Sequence, residues 1–187
     1  NDFPENEGWE RRVNGVGPAV RTLADGIMTM DGLADRQIDD YYRMERPLNP
    51  APGEEFVMQW RLRVLDVNGS PPAYDPGAAI WSDDDWTVSL LFGTDFIHSF
   101  HENFYFPIEP GVFHAVEFRS SDMRSYDLFL DGALIHMGSF WEPTFDQSRV
   151  HWGDRARGSA SLTDWDYFRF GVVPEPNTCF LLLAPLC

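Results

Sequence analysis

The stretch Glu55-Phe56-Val57-Met58-Gln59-Trp60-Arg61-Leu62-Arg63-Val64-Leu65-Asp66 decides the fold of this chain. On an extended backbone, Phe56, Met58, Trp60, Leu62 and Val64 fall on one face, with Gln59, Arg61 and Arg63 on the other. A hydrophobic period of two marks a β-strand with one buried and one wet face. Asn68-Gly69 and Pro71-Pro72 then stop the strand.

Outward from this strand the same pattern recurs. It predicts strands over 86–92, 100–106, 112–119, 149–152 and 164–172, with N-terminal candidates at 19–23, 26–30 and 38–45. The clearest hairpin joins 126–130 to 133–137 through Asp131-Gly132. Asp-Gly supplies the two positive φ angles of a type I′ turn, and the two-residue loop sets the register. No window holds a run of helical periodicity. Many short strands with frequent turns predict an all-β fold, an antiparallel β-sandwich of jelly-roll type.

A hydrophobic content of 43%, with 15% aromatic residues, is ample for a packed core. The length of residues 1–172 suits a single domain. Both cysteines, Cys179 and Cys187, lie near the C-terminus, so 1–172 holds neither a disulfide nor a thiolate metal site. No basic-then-apolar leader stands at Asn1, so a signal peptide is expected to have been removed or to lie outside the chain. The formal net charge is −16, and every cation among the Lys and Arg positions is arginine. A field of that sign repels nucleic acid and anionic lipid and favours solubility, so nucleic-acid partners are set aside.

Phe113-His114 opening a strand, the Tyr126–Leu130 strand, Asp131-Gly132, Val150-His151-Trp152-Gly153-Asp154 and the closing Asp164-Trp165-Asp166-Tyr167-Phe168-Arg169-Phe170-Gly171 follow in that order. The order resembles the laminin-G-like and concanavalin-A-like jelly rolls. That resemblance implies a β-sandwich and a role on glycans or in adhesion. Glu-x-Asp-x-x-Glu, which laminarinase-type enzymes of this fold carry on one strand, is missing. Gln-x-His of the alginate-lyase version is missing too, and so are Gly-x-Ser-x-Gly and a phosphate loop. A non-catalytic domain is therefore expected, with no catalytic residue assigned.

Candidate binding residues come from composition. Sugar rings stack their C–H faces on indoles while carboxylates take the hydroxyls. Trp60, Trp152 and Trp165 read as core, whereas Trp81, Trp86 and Trp141 neighbour turn residues. The glycan site is therefore placed at Trp81, Trp86 and Trp141 with Asp83, Asp84 and Asp85; the bland alternative is that all the tryptophans fill the sandwich. Adjacent loop carboxylates also suit calcium, which takes six to eight oxygens. Asp83 and Asp85 are one calcium candidate and Asp164 and Asp166 a second, against the alternative of solvated turns. Calcium is the only cofactor candidate.

At the C-terminus, Val173-Pro174-Glu175-Pro176 runs into an apolar segment that ends at Cys187. This arrangement resembles the PEP-CTERM sorting signal. The resemblance implies a tail over 173–187 that holds the protein transiently at the membrane until an exosortase-type enzyme processes it. It places the domain outside, or in the envelope of, a Gram-negative-type bacterium. The family's longer apolar segment and closing Arg-rich cluster are not present here. A C-terminal core strand is the other reading.

The expectation is an exported module that binds a polysaccharide or mediates adhesion. The alternatives are a structural matrix or biofilm protein without a discrete site, and a glycan-active hydrolase or lyase of the same fold.

Overall fold

The computed structural model describes residues 3–14, 19–33, 39–68, 77–81, 86–141, 148–154 and 160–174. Asp83, Asp84, Asp85, Glu175 and Pro176 lie outside the described residues. After a short 3-10 turn at Pro4–Glu7 come β1 (Glu10–Asn14), β2 (Val20–Ala24), β3 (Ile27–Asp31), β4 (Asp39–Glu45) and β5 (Glu54–Asn68). Then follow β6 (Gly77–Trp81), β7 (Thr87–Phe92), β8 (Phe96–Ser99), β9 (Phe104–Pro107) and β10 (His114–Ser120). The last four are β11 (Ser125–Leu130), β12 (Ala133–Ser139), β13 (Arg149–Asp154) and β14 (Ala160–Pro174).

Two seven-stranded sheets form, in the orders β1-β4-β13-β6-β7-β8-β9 and β12-β11-β10-β5-β14-β3-β2. Every strand pairing is antiparallel. The two latest strands sit inside the sheets: β13 between β4 and β6, and β14 between β5 and β3. This jelly-roll sandwich is the all-β architecture that the alternating sequence predicts.

The deciding strand behaves as read. Phe56, Met58, Trp60, Leu62 and Val64 are buried, and the alternate residues of β5 are more open. Opposite sheets meet in an aromatic column. Tyr42 (β4) stacks on Trp152 (β13) at 4.7 Å, and Trp152 stacks on Phe168 (β14) at 5.2 Å. Phe168 in turn lies over Trp60 (β5) at 5.9 Å. The interplanar angles are 27°, 9° and 26°, so four near-parallel rings bridge the sheets. Burial pushes the Tyr42 phenol up to about 12, against the opposing charge and hydrogen bond of Arg21. Trp60, Trp152 and Trp165 are core residues, as their positions in the sequence imply.

Three expectations are adjusted. The run 100–106 is not one strand: β8 ends at Ser99 and β9 begins at Phe104, with a turn between. Glu102 in that turn reaches across to the other sheet. It accepts hydrogen bonds from the Tyr126 hydroxyl, from His136 Nε2 (3.3 Å) and from the Ser139 backbone N–H (2.8 Å). Second, β1, β6 and β8 were not foreseen, and residues 9–14 belong to the sandwich: β1 pairs with β4, and Trp9 is buried. Third, β14 continues past 172, with Val173 opposite Glu55 and Pro174 opposite Glu54. The Asp131-Gly132 hairpin turn has both φ angles positive, 50° and 83°, as type I′ requires.

Candidate functional site

Strand β14 contains the irregularity that shapes the outer face of the second sheet. Trp165 pairs with Leu62 and Tyr167 with Arg61, so Asp166 is an extra residue in the ladder, a β-bulge. Trp165 on its N-terminal side and Phe168 beyond it both pack into the core. Asp166 and Tyr167 turn outward, toward the wet residues of β5. Bulges re-aim side chains in this way, and they recur beside binding sites.

On that outer face, the register sets Phe129, Glu117, Gln59 and Arg169 in one row across β11, β10, β5 and β14. Gln59 joins the row: its amide N–H donates to Glu117, and its carbonyl accepts from Arg169 Nε at 2.7 Å. Arg119 Nε donates to the other Glu117 oxygen at 2.5 Å, with its guanidinium 5.5 Å from the Phe129 ring. The neighbouring row holds Ala115, Arg61 and Tyr167. Ala115 is short, and beside it a cleft of about 330 Å³ opens, lined by Gln59, Glu117, Arg119, Phe129, Gly132 and Tyr167.

The face is electrically balanced. Arg61 pairs with Asp166 at 2.5 Å, Arg63 with Asp164 at 2.7 Å, and Arg119 with Glu117 and Glu55. Phe113 lies under both Arg61 and Arg63, 4.8 and 4.6 Å from their guanidinium carbons. Such half-exposed pairs add little stability. They fix donors and acceptors in place where arginines meet matched acids, on a chain with a net charge of −16.

Asp164 and Asp166, a calcium candidate in the sequence, are committed to arginines instead. Asp164 is 4% exposed, and it also accepts from Thr29 Oγ1 at 2.6 Å. Each of the two carboxylates already faces a guanidinium that a cation would have to displace. Among the described residues, no group of three or more His, Cys, Asp or Glu side chains suits a metal ion. Asp83 and Asp85, the other candidate, lie outside the described residues.

The three tryptophans chosen from the sequence converge through the backbone. Thr87 pairs with Trp81 on one side and bridges Trp141 on the other. The bridge is made by Thr87 N–H to the Trp141 carbonyl (2.9 Å) and Trp141 N–H to the Thr87 carbonyl (2.8 Å). Trp141 is 48% exposed, and His101 stacks on it at 4.5 Å and 8°. Phe100, also exposed, sets its edge against His101. Burial holds the His101 pKa below its ordinary value, against the charge of Glu102. Trp86 is half-buried instead, packed on the core with the Arg124 guanidinium carbon 4.4 Å from its ring.

Sequence reasoning missed the cleft residues Gln59, Glu117, Arg119, Phe129 and Tyr167. The wet face of β5 was legible, but its neighbours were not. That β14 lies beside β5 is a pairing across about a hundred residues, as in Arg169 with Gln59.

No protein-family model matches the chain, and no curated protein matches it. Among solved structures, a conserved carbohydrate esterase of the Shiga toxin-encoding bacteriophage phi24B aligns with a TM-score of 0.63 at 13% identity, covering 91% of this chain and 92% of its own. An alginate lyase of polysaccharide lyase family 7 aligns at 0.56 and 9% identity, covering 82% of each chain. Cip1, a cellulose-induced protein, aligns at 0.55 and 12% identity, covering 88% of this chain and 91% of its own. At such identities the likeness is one of fold: this chain is an antiparallel jelly-roll β-sandwich.

Proposed function

We propose that this domain is a glycan-binding module, non-catalytic and exported, that holds its ligand on the outer face of the second sheet. The observation that carries the proposal is the cleft between Phe129 and Tyr167, floored by Glu117 and Gln59 with Arg119 beside them. Rings that can take the apolar face of a sugar stand beside an amide, a carboxylate and a guanidinium already held in position. Hydroxyl-rich ligands need donors and acceptors together, and the balanced face supplies both. A carbohydrate esterase and an alginate lyase among the structures of like fold support a saccharide as ligand. Glu117, Asp164 and Asp166 on the face are each engaged by an arginine, which favours binding over acid-base chemistry.

Sorting by the Val173-Pro174-Glu175-Pro176 tail and an exosortase-type enzyme belongs to this proposal, as does delivery to the envelope or extracellular matrix of a Gram-negative-type bacterium. Calcium remains proposed, with Asp83 and Asp85 among its ligands. The rival location for the ligand is the Trp141–His101 platform.

Residues 1–174 would be applied to a broad glycan array in calcium and again in chelator. Saturable binding to one class is expected, weakened about tenfold by Phe129→Ala and unchanged by Trp141→Ala. The reverse pattern moves the site to the platform, and loss in chelator makes calcium part of it. Absence of binding in both buffers sinks the glycan proposal.

A structural matrix role is the second reading, and one observation favours it. Edge strand β12 carries no acidic residue and no arginine, and its Leu134 and Met137 are 50% and 72% exposed. Such an edge can pair with another chain.

A further inference from the structure

A notch lies at the far end of the same sheet. β3 pairs with β14 only from Leu162 to Trp165, whereas β14 runs on to Pro174 beside β5. Where β3 leaves, the β2–β3 turn and the Pro4–Glu7 turn stand across from the Asp166 bulge. They enclose a cavity of about 200 Å³, with Trp9, Leu23, Trp152, Trp165 and Phe168 in its walls and Glu7 at its lining. Ordinary small-molecule pockets are about 300–1,000 Å³, so this one has room for a single ring and not for a chain.

Two chemistries could suit an aromatic-walled cavity with an acid beside it: a methylated ammonium, or a ring bearing oxygen acceptors. Ring orientation decides between them. A cation seeks the negative faces of aromatic rings. Here both faces of Trp152 are covered, by Tyr42 and Phe168, and those of Phe168 by Trp152 and Trp60. These two walls therefore offer ring edges, whose potential is positive. Moreover, Trp152 and Trp165 are only 3% and 2% exposed, and the indole N–H of each has no hydrogen-bond partner among the described residues. A buried donor without an acceptor is unfavourable, and both nitrogens are shut from solvent, so a ligand oxygen reaches them only where a ring of the wall shifts. The cavity is therefore matched to oxygen, while exposed Glu7 can accept from a hydroxyl.

Tyr167 lines both this notch and the cleft. We propose that the notch is the end subsite of the cleft: it takes the terminal pyranose unit of a glycan whose next units lie across the sheet. The inference rests on the glycan reading above and adds that the domain recognises chain ends rather than chain interiors.

The test uses the array's own immobilised oligosaccharides, each presented with a free and with a blocked terminal residue. Free-ended forms are expected to bind, and blocked forms to bind at least about tenfold more weakly. Leu23→Trp, which fills the notch, should weaken the free-ended forms by a similar factor, and Glu7→Gln by a smaller one. On saturation, the indole N–H NMR signals of Trp152 and Trp165 should move. Equal binding of free and blocked forms, with both indole signals unmoved, overturns the end subsite and leaves the cleft reading standing. No binding to any glycan overturns both. Should Leu23→Trp fail to fold, Glu7→Gln and the indole signals still decide.

Discussion

Glu102 shows how a single side chain can tie two sheets together. Burial would raise its pKa, but the Tyr126 hydroxyl, the Ser139 N–H and His136 outweigh burial and hold it below the usual carboxylate range. A carboxyl whose pKa is lowered by folding stabilises the fold above its unfolded pKa, about 4.3. That stability is lost as pH falls through the lower folded value. Glu102→Ala should therefore cost about 2–3 kcal/mol at pH 7, because buried donors lose their acceptor. The difference from the parent protein should shrink at pH 3. Urea unfolding at the two pH values measures both; an equal loss at pH 3 would mean that packing, not charge, is the role of Glu102. In the sequence, Glu102 falls inside the run 100–106 that reads as a strand, and nothing there gives a sign of this partner. The partners Tyr126, His136 and Ser139 stand 24 to 37 residues away.

At the scale of elements, the bulge in β14 and the edge at β12 carry the consequences. Side chains alternate with a period of two, so one residue more or less exchanges the faces of a strand. Deleting Asp166 removes the extra residue and restores strict alternation, so Trp165, Phe168 and Phe170 keep facing the core while Arg61 loses its partner. A cooperative thermal transition should persist, and its loss would mean that the bulge itself is needed to hold β14 in the sheet. The edge strand makes a separate prediction. Leu134→Lys puts a fixed charge on an edge that has no acidic residue and no arginine, the device by which sheet edges resist pairing. Light scattering at high concentration should show less self-association than in the parent protein. Unchanged scattering would remove the one observation that favours the matrix reading.

For the whole molecule, charge is the governing quantity. A net charge of −16 on 187 residues repels itself in the compact state. Salt at about 0.5 M shortens the screening length to a few ångströms. The thermal midpoint at pH 7 should accordingly rise with sodium chloride, and a fall would mean that the attraction within surface ion pairs outweighs the repulsion of the whole. The balanced face of the second sheet is the exception within this field: Arg61, Arg63 and Arg119 stand among matched acids, so a neutral ligand meets no net repulsion there.

The sequence by itself determined β5 and the strands with the same alternation, their buried faces and the Asp131-Gly132 hairpin, but not β1, β6 or β8. Those depend on residues within a few positions of one another, whose alternation and turn chemistry act locally. From the same local signals, Trp60, Trp152 and Trp165 were legible as core and Trp141 as exposed. Only the tertiary structure decided that β14 lies beside β5 and β13 beside β4. With that pairing came the Gln59–Arg169 contact, the commitment of Asp164 and Asp166 to arginines, and the cleft and notch on either side of Tyr167. Pairing between distant strands is selected by the packing of the whole core. No local pattern encodes it, and a site built from four neighbouring strands appears only once the sheet has closed.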